Sequence, residues 1–565
     1  MNKIGNFDPD TAFVRIGTPY FSDVIDAVGA DPTLSCTRRR DMVSGLRRVA
    51  KALNRSPNTI PADIKWLQPR LEQVQPASLG LRPKSWSNAH SDARAALVCC
   101  KIVETRKNRF SDLSPEWQAL WKMILSSDDP GLKFALSRFV YFLSRHSIAP
   151  DMVCDAHASA FLAAVELNEI RKSPDGAYRS AITSWNRAVR KFPAWPPNLL
   201  TLPIRSKRIS LVITDFPKSF QDDLAHYGQC LEAPDPFDPL ARTSPLRPST
   251  VESYRKNLIR FASQLVRHGT PPADIVDLAY LVQPINAERG FRLMLESSGQ
   301  TVTRNLEHIA GILSGLARRY VRVSEEDLTA LTRLTDQLQM PPQKGMTEKN
   351  RARLRPLRDK ATLQRLYALP DKLCTTIQPK LHTRQTLLDQ EIGIAIAILQ
   401  YCPVRIGNLS AIDIEQQLQR TGNGRVFLSF AGSEVKNGRG IEFELPSHVI
   451  HMIDRHLASR SPALCTARSR WLFPKRDGSG PMSPRHLGER IKKCLRKEIG
   501  IDMNAHLFRH MAAMLWLDRN PGAYEAARRL LGHAAVSQTL ALYADFEADT
   551  ATRLFAEVID GVRGS

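Results

Sequence analysis

Apolar residues recur at three- and four-residue spacing through residues 1–340, with little strict alternation, and this pattern predicts helices. Three stretches share one spacing: GLRRVAKALNRSPNTIPADI from Gly45, ALSRFVYFLSRHSIAPDMV from Ala135, and NLIRFASQLVRHGTPPADIV from Asn257. Leu46, Arg48, Val49, Leu53 and Arg55 align with Leu136, Arg138, Phe139, Leu143 and Arg145. These align in turn with Leu258, Arg260, Phe261, Leu265 and Arg267. The apolar members fall at i, i+3 and i+7, one face of a helix, and the arginines fall off it. Each stretch ends at a proline–aspartate element (Pro61/Asp63, Pro150/Asp151, Pro272/Asp274), which stops one helix and caps the next. Three small helical modules are expected, at roughly 30–110, 115–195 and 245–340. Any helix bundle yields such a pattern by chance, so common ancestry and coincidence both stay open.

Two segments interrupt the helical pattern. Residues 193–248 carry ten prolines, including Ala-Trp-Pro-Pro at 194–197, and read as an extended connector. Residues 341–360, PPQKGMTEKNRARLRPLRDK, hold seven Lys/Arg against two acids and read as a basic strap between domains. Beyond 361 the pattern changes. Helices are expected at 386–402, 484–497, 506–518 and 522–531. RVFLSF (425–430) and IEFELP (441–446) read as a strand pair, with Asn437-Gly438-Arg439-Gly440 as its turn. The expected fold is mainly α with a small antiparallel β element, an α+β domain at the C-terminal end. The expected divisions are 1–110, 111–195, a linker at 196–244, 245–340, a linker at 341–360, and 361–565.

Composition narrows the partner. The 565 residues include 79 Lys+Arg and 57 Asp+Glu, a formal charge of +22. Such a charge points to a phosphate backbone, because each neutralised phosphate releases counterions. A membrane surface is a weaker candidate, since no run of 18 apolar residues and no Lys-rich amphipathic terminal helix is present. The start, MNKIGNFDPDTAFVRIG, has no apolar core of a secretory signal. Nine scattered cysteines form no C-x-x-C, so neither a zinc knuckle nor a disulfide framework is expected, and a reduced, cytoplasmic setting is.

Four fragments carry candidate chemistry: YCPVRIGNLSAIDI with Arg405, SEVKNGRG with Lys436, NAHLFRHMAAM with His506 and Arg509, and RRLLGHAAVSQTLALYADF with His533 and Tyr543. Each residue alone has a structural reading: a salt-bridged arginine, a solvated turn lysine, a helix-end histidine, a core tyrosine. As an ordered set they resemble the tyrosine recombinases, the phage-integrase family. His506 and Arg509 are three residues apart, His533 lies 24 further on, and Tyr543 another ten. Leu531-Gly532-His533 and Phe508-Arg509-His510 also look like family motifs. The resemblance is firm over about 385–550, and the module at 245–340 is similar to the family's core-binding helical (SAM-like) domain. Pro403 stands where a glycine is common, and Asn408 where many members have Glu.

The resemblance implies a multidomain DNA clamp and a site-specific recombinase that integrates or excises a mobile element. Tyr543 would attack a phosphodiester, leaving a 3′-phosphotyrosyl link and a free 5′ hydroxyl, which conserves the bond energy. A tyrosine has a pKa of about 10, so its proton must be removed during attack, and His506 is the implied base. Arg405 and Arg509 would hold the non-bridging oxygens, His533 would add a hydrogen bond, and Lys436 would protonate the leaving oxygen. Arg439, in the same turn, competes with Lys436 for that role. No metal, ATP or other cofactor is implied. Lys344, Lys349, Arg351, Arg353, Arg355 and Arg358 would track the DNA backbone. The implied partners are double-stranded DNA, further copies of the chain (a dimer per site, a tetrameric synapse) and accessory or partner recombinases, in a bacterial, nucleoid-associated setting. A transposase or resolvase of the same chemistry, a type IB topoisomerase, and a catalytically idle DNA-binding regulator are the alternatives.

Overall fold

The computed structural model describes Val14–Arg563, apart from residues 16, 106–108, 171–172, 203–209, 343–344, 376–383, 461 and 463. It divides into two units, Met1–Leu202 with Lys344–Ser565, and Pro203–Gln343. Prolines and short polar residues set many helix starts. Pro83, Pro115, Pro174, Pro248 and Pro484 each stand in the first turn of a helix, where a missing N–H costs nothing. Ser35, Asp63 and Asn504 accept hydrogen bonds from the first-turn amides of theirs. This explains how a chain with 37 prolines is mainly helical.

The first unit begins with two four-helix modules. One comprises α1 (Phe21–Ala30), α2 (Cys36–Ala52), α3 (Ile64–Gln73) and α4 (Pro83–Cys99); the next comprises α5 (Pro115–Leu125), α6 (Pro130–Arg145), α7 (Asp155–Asn168) and α8 (Pro174–Lys191). Each has its own apolar core. Both place a 3-10 turn between their second and third helices, at Pro57–Thr59 and Pro150–Met152, which lie 93 residues apart. The left-handed residues Asn54 (φ 53°) and Ser147 (φ 54°) are the same distance apart. The modules therefore repeat, but three positions off the sequence alignment. Leu46 corresponds to Phe139, not Leu136, and Val49 and Ala50 to Phe142 and Leu143. All six are buried. A shift of three leaves an apolar helical stripe nearly unchanged, so the pattern alone accepts either register.

The second unit repeats the order again. It contains α9 (Lys218–Glu232), α10 (Pro248–Arg267), α11 (Ala279–Val282), α12 (Pro284–Ser297), α13 (Arg304–Leu316) and α14 (Glu325–Asp336). Here the sequence register matches the structure. Ser147 corresponds to Gly269 (φ 99°), and the turn at Pro150–Met152 to that at Pro272–Asp274. The segment expected to be a linker at 196–244 instead supplies α9, whose Phe220, Leu224, Tyr227 and Leu231 join this unit's core. Its apolar residues at three- and four-residue spacing outweigh the flanking prolines.

The rest of the first unit holds α15 (Glu348–Leu354), α16 (Lys360–Thr375), α17 (Arg384–Tyr401), α18 (Ile406–Ser410), strands β1 (Leu418–Arg420), β2 (Val426–Phe430) and β3 (Ile441–Glu444), then α19 (Ser447–Ser459), α20 (Pro484–Glu498), α21 (Ala505–Arg519), α22 (Tyr524–Leu531) and α23 (Val536–Arg563). The strands form one antiparallel sheet in the order β1-β2-β3, with Leu418 opposite Leu428 and Phe430 opposite Ile441. The expected hairpin is there, but β1 is a third strand, and residues 431–440 form a long loop rather than a tight turn. α17 is buried on all sides from Ile392 to Leu399, the central rod of this core. The expected linker at 341–360 is another departure. Met346, Leu354 and Leu357 are buried in this same core, anchoring α15 to it.

The first module also touches this region directly. Arg365 Nη1 donates to the Ala77 carbonyl at 3.0 Å. Gly500 has φ +87°, and a Cβ there would collide with the Ser78 backbone. Both facts demand glycine.

Candidate active site

The site is assembled by the ends of four helices and one loop. α17 runs into the buried Cys402 and Val404, and the turn delivers Arg405 as the residue capping α18. α21 opens at its cap Asn504, exposing His506 and directing Arg509 and His510 inward. α22 ends at Gly532 in the left-handed conformation (φ 59°), which turns the chain to place His533. The second turn of α23 then presents Tyr543.

Arg509 is 3 % exposed and braces the site's walls. Its guanidinium donates to the Pro403 carbonyl at 2.5 Å and to the Leu531 carbonyl. Arg405 Nη2 donates to Asn437 Oδ1 at 3.2 Å, and Asn437 Nδ2 donates to the Gly532 carbonyl. Asn437 thus ties the loop after β2 to both Arg405 and the His533 turn. Tyr543 is 1 % exposed. Its hydroxyl lies 2.8 Å from His510 Nδ1. The Tyr543 ring lies parallel to that of His533, centroids 6.4 Å apart, while His510 meets His506 edge-on at 4.8 Å. His533 Nδ1 is 2.9 Å from Thr539 Oγ1.

The electrostatics are those of a cation cluster. Burial, with the charge of Arg405 beside it, lowers the Arg509 pKa to about 10. Burial also lowers Arg405, and burial with the Arg509 and Arg405 charges lowers His506. His510 and His533 are each pushed down to about 4, by burial first and then by neighbouring cationic groups. Burial raises Tyr543, and Arg509 partly offsets it. Among the described residues, no carboxylate hydrogen-bonds to these arginines and histidines. Such a pocket invites an anion, and forked guanidinium donors fit phosphate oxygens.

Five of the six sequence-derived residues, Arg405, His506, Arg509, His533 and Tyr543, come together here. Lys436 is exposed on the loop, next to Asn437, as is Arg439. Among the described residues, Lys436 makes no side-chain hydrogen bond or ion pair. Of the proposed backbone-tracking cations, Lys344 lies outside the described residues. Lys349, Arg351, Arg355 and Arg358 are exposed. Arg353 is instead half-buried and donates to Asp502 at 2.7 Å, which makes it a structural tie rather than a projecting cation. Sequence reading passed over Asn437, which looks like a turn residue, and gave no role to His510, although it stands beside Arg509.

A buried phenol hydrogen-bonded to a histidine, in a pocket with two guanidiniums, has the donors and the oxygen nucleophile that phosphoryl transfer needs. Residues 350–549, about a third of the chain, match the model of the phage integrase family. No curated protein matches the chain. Among solved structures, XerH recombinase bound to palindromic difH substrate in a post-cleavage complex is 14% identical over 62% of this chain and 98% of its own, TM-score 0.34. The Tn1549 transposon integrase with circular intermediate DNA is 18% identical over 55% and 94%, TM-score 0.32. The integrase from mycobacterium phage Brujita is 16% identical over 59% and 92%, TM-score 0.21.

Proposed function

We propose that this chain cuts and rejoins duplex DNA through Tyr543, integrating or excising a mobile element. The observation that carries the reading is the gathering of Arg405, Arg509 and three histidines in the pocket that holds Tyr543, with His510 in contact with its hydroxyl. In this reading the scissile phosphate enters the cation cluster, and Arg405 and Arg509 hold its non-bridging oxygens as charge builds in the transition state. His533 adds a donor. The Tyr543 oxygen bonds to phosphorus, the bond to the 5′ oxygen breaks, and that oxygen takes a proton from Lys436 as the loop closes on DNA. Reversal onto a different 5′ hydroxyl completes strand exchange without an external energy source.

The exposed stripe of Phe555, Val558, Ile559 and Val562 on α23 supports docking onto a second copy of the chain at the synapse. The exposed cations Lys349, Arg351, Arg355 and Arg358 support a path for the DNA backbone, in a cytoplasmic, nucleoid-associated bacterial setting. No described helix is long and apolar enough to cross a membrane.

The test is recombination between two plasmid-borne copies of the ends of the element that carries this gene. Wild type is expected to yield recombinant junctions and Tyr543→Phe none, while both bind the DNA. Junctions from Tyr543→Phe, or relaxation of a one-site plasmid without exchange, would overturn the reading.

A further inference from the structure

His510 is in hydrogen-bond contact with the Tyr543 hydroxyl, Nδ1 to Oη 2.8 Å, and it is 6 % exposed. The implied base, His506, is exposed and one ring further away, meeting His510 edge-on. His533 faces the tyrosine ring in parallel and its Nδ1 is engaged by Thr539. Geometry therefore separates three histidines that sequence spacing does not. Resting on the reading of Tyr543 as nucleophile, we propose that His510 takes the phenolic proton of Tyr543 as its oxygen attacks phosphorus, and returns it when the strand is rejoined.

The proton balance closes. During cleavage the Oη–P bond forms, the P–O5′ bond breaks, the phenolic proton passes to His510 Nδ1, and the leaving 5′ oxygen takes a proton from Lys436. During rejoining the 5′ hydroxyl gives its proton back to Lys436 as its oxygen bonds to phosphorus, the phenolate leaves, and the phenolic proton returns from His510. No co-reactant is consumed. A neutral imidazole with its proton on Nε2 has Nδ1 free to accept, so the resting hydrogen bond already points the phenol proton along its path.

The surroundings of His510 make the base conditional on substrate. Burial chiefly disfavours its protonated form, and His506, Arg509 and His533 add to this. The free site is therefore a poor proton acceptor. A phosphodiester among Arg405 and Arg509 brings negative charge to this cluster and reverses the bias, so His510 gains basicity when there is a phosphate to attack. Histidine at 506, with its ring edge to His510 and its exposure to solvent, tunes that change.

The experiment measures single-turnover formation of the covalent DNA adduct on a nicked duplex spanning the element's ends, from pH 5 to pH 8.5. The proteins are wild type, His510→Gln and His510→Ala. Wild type is expected to lose rate as pH falls, because a protonated His510 cannot accept. His510→Gln, which can still hold the tyrosine hydroxyl but not its proton, is expected to be slower by about 10²-fold and to lose that acid limb. Added imidazole should restore part of the rate to His510→Ala but not to His510→Gln. A His510→Gln rate within about threefold of wild type overturns the proposal, as does a faster one, which would make the contact a latch. Should both variants misfold, a wild-type rate independent of pH overturns it. Absence of any adduct from wild type defeats the underlying reading as well, so the two failures are distinguishable.

Discussion

At the residue scale the site depends on donors that hold one another in place. Asn437 orients Arg405 and clamps the carbonyl before His533. Asn437→Ala is expected to slow covalent adduct formation about tenfold while leaving DNA affinity unchanged, measured by quench-gel kinetics beside a filter-binding titration. Arg509→Lys removes the fork that reaches both Pro403 and Leu531, and should cost about 10²-fold in the same assay. Buried histidines also set acid stability. His456 is 2 % exposed, and burial with the Arg460 charge lowers its pKa to about 3; His510 and His533 sit at about 4. All three fall below the ordinary value of 6.5, so between these limits the unfolded chain binds more protons than the folded one. Their contribution is present above pH 6.5 and is lost as pH falls toward 4 and then 3. Urea midpoints should drop steadily over that window, by about 2 kcal/mol or more in stability between pH 7 and 4.5, and His456→Leu should flatten the slope.

At the element scale, Gly500 lets the first helical module lie close against the C-terminal domain. Its left-handed backbone and its contact with Ser78 make Gly500→Ala destabilising by about 1–3 kcal/mol, seen as a lowered Tm and faster proteolysis near residues 74–82. A second element, α23, ends in exposed apolar side chains. Phe555→Glu with Val558→Glu is expected to weaken two-site synapsis while single-site binding persists, read by gel shift. Much of this level was legible in the sequence. The helices expected at 484–497 and 506–518, found at Pro484–Glu498 and Ala505–Arg519, the hairpin strands, and the order of Arg405, His506, Arg509, His533 and Tyr543 all follow from period and motif. What escaped has physical causes. Helical periodicity tolerates a slip of three, which misaligned Leu46 with Leu136. Dense cations concealed Leu354 and Leu357, and clustered prolines concealed α9. The contact of His510 with Tyr543 spans 33 residues and is made by tertiary packing alone.

At the scale of the whole molecule, three helical modules of one plan precede a domain that supplies every chemical group of the site. The off-face arginines of the second module do not simply project: Arg138 pairs with Glu169 inside the module, and Arg145 pairs with Glu104, joining it to the first. The +22 charge is therefore partly spent inside the protein, yet 79 Lys+Arg leave a large excess for phosphate. DNA affinity should fall steeply with salt, by about 10³-fold or more between 50 and 200 mM, for a protein that neutralises six or more phosphates. A shallow slope would mean that the charge serves another purpose. The most direct measurement concerns the bond itself. The protein is incubated with DNA spanning the element's ends, denatured, and digested with nuclease and trypsin, and the tryptic peptide Leu530–Arg553 is weighed by mass spectrometry; its one tyrosine is Tyr543. A nucleotide remnant joined through a 3′ phosphate to Tyr543 is expected. A remnant on any other residue, or one that persists in Tyr543→Phe, would contradict the assignment of Tyr543 as the nucleophile.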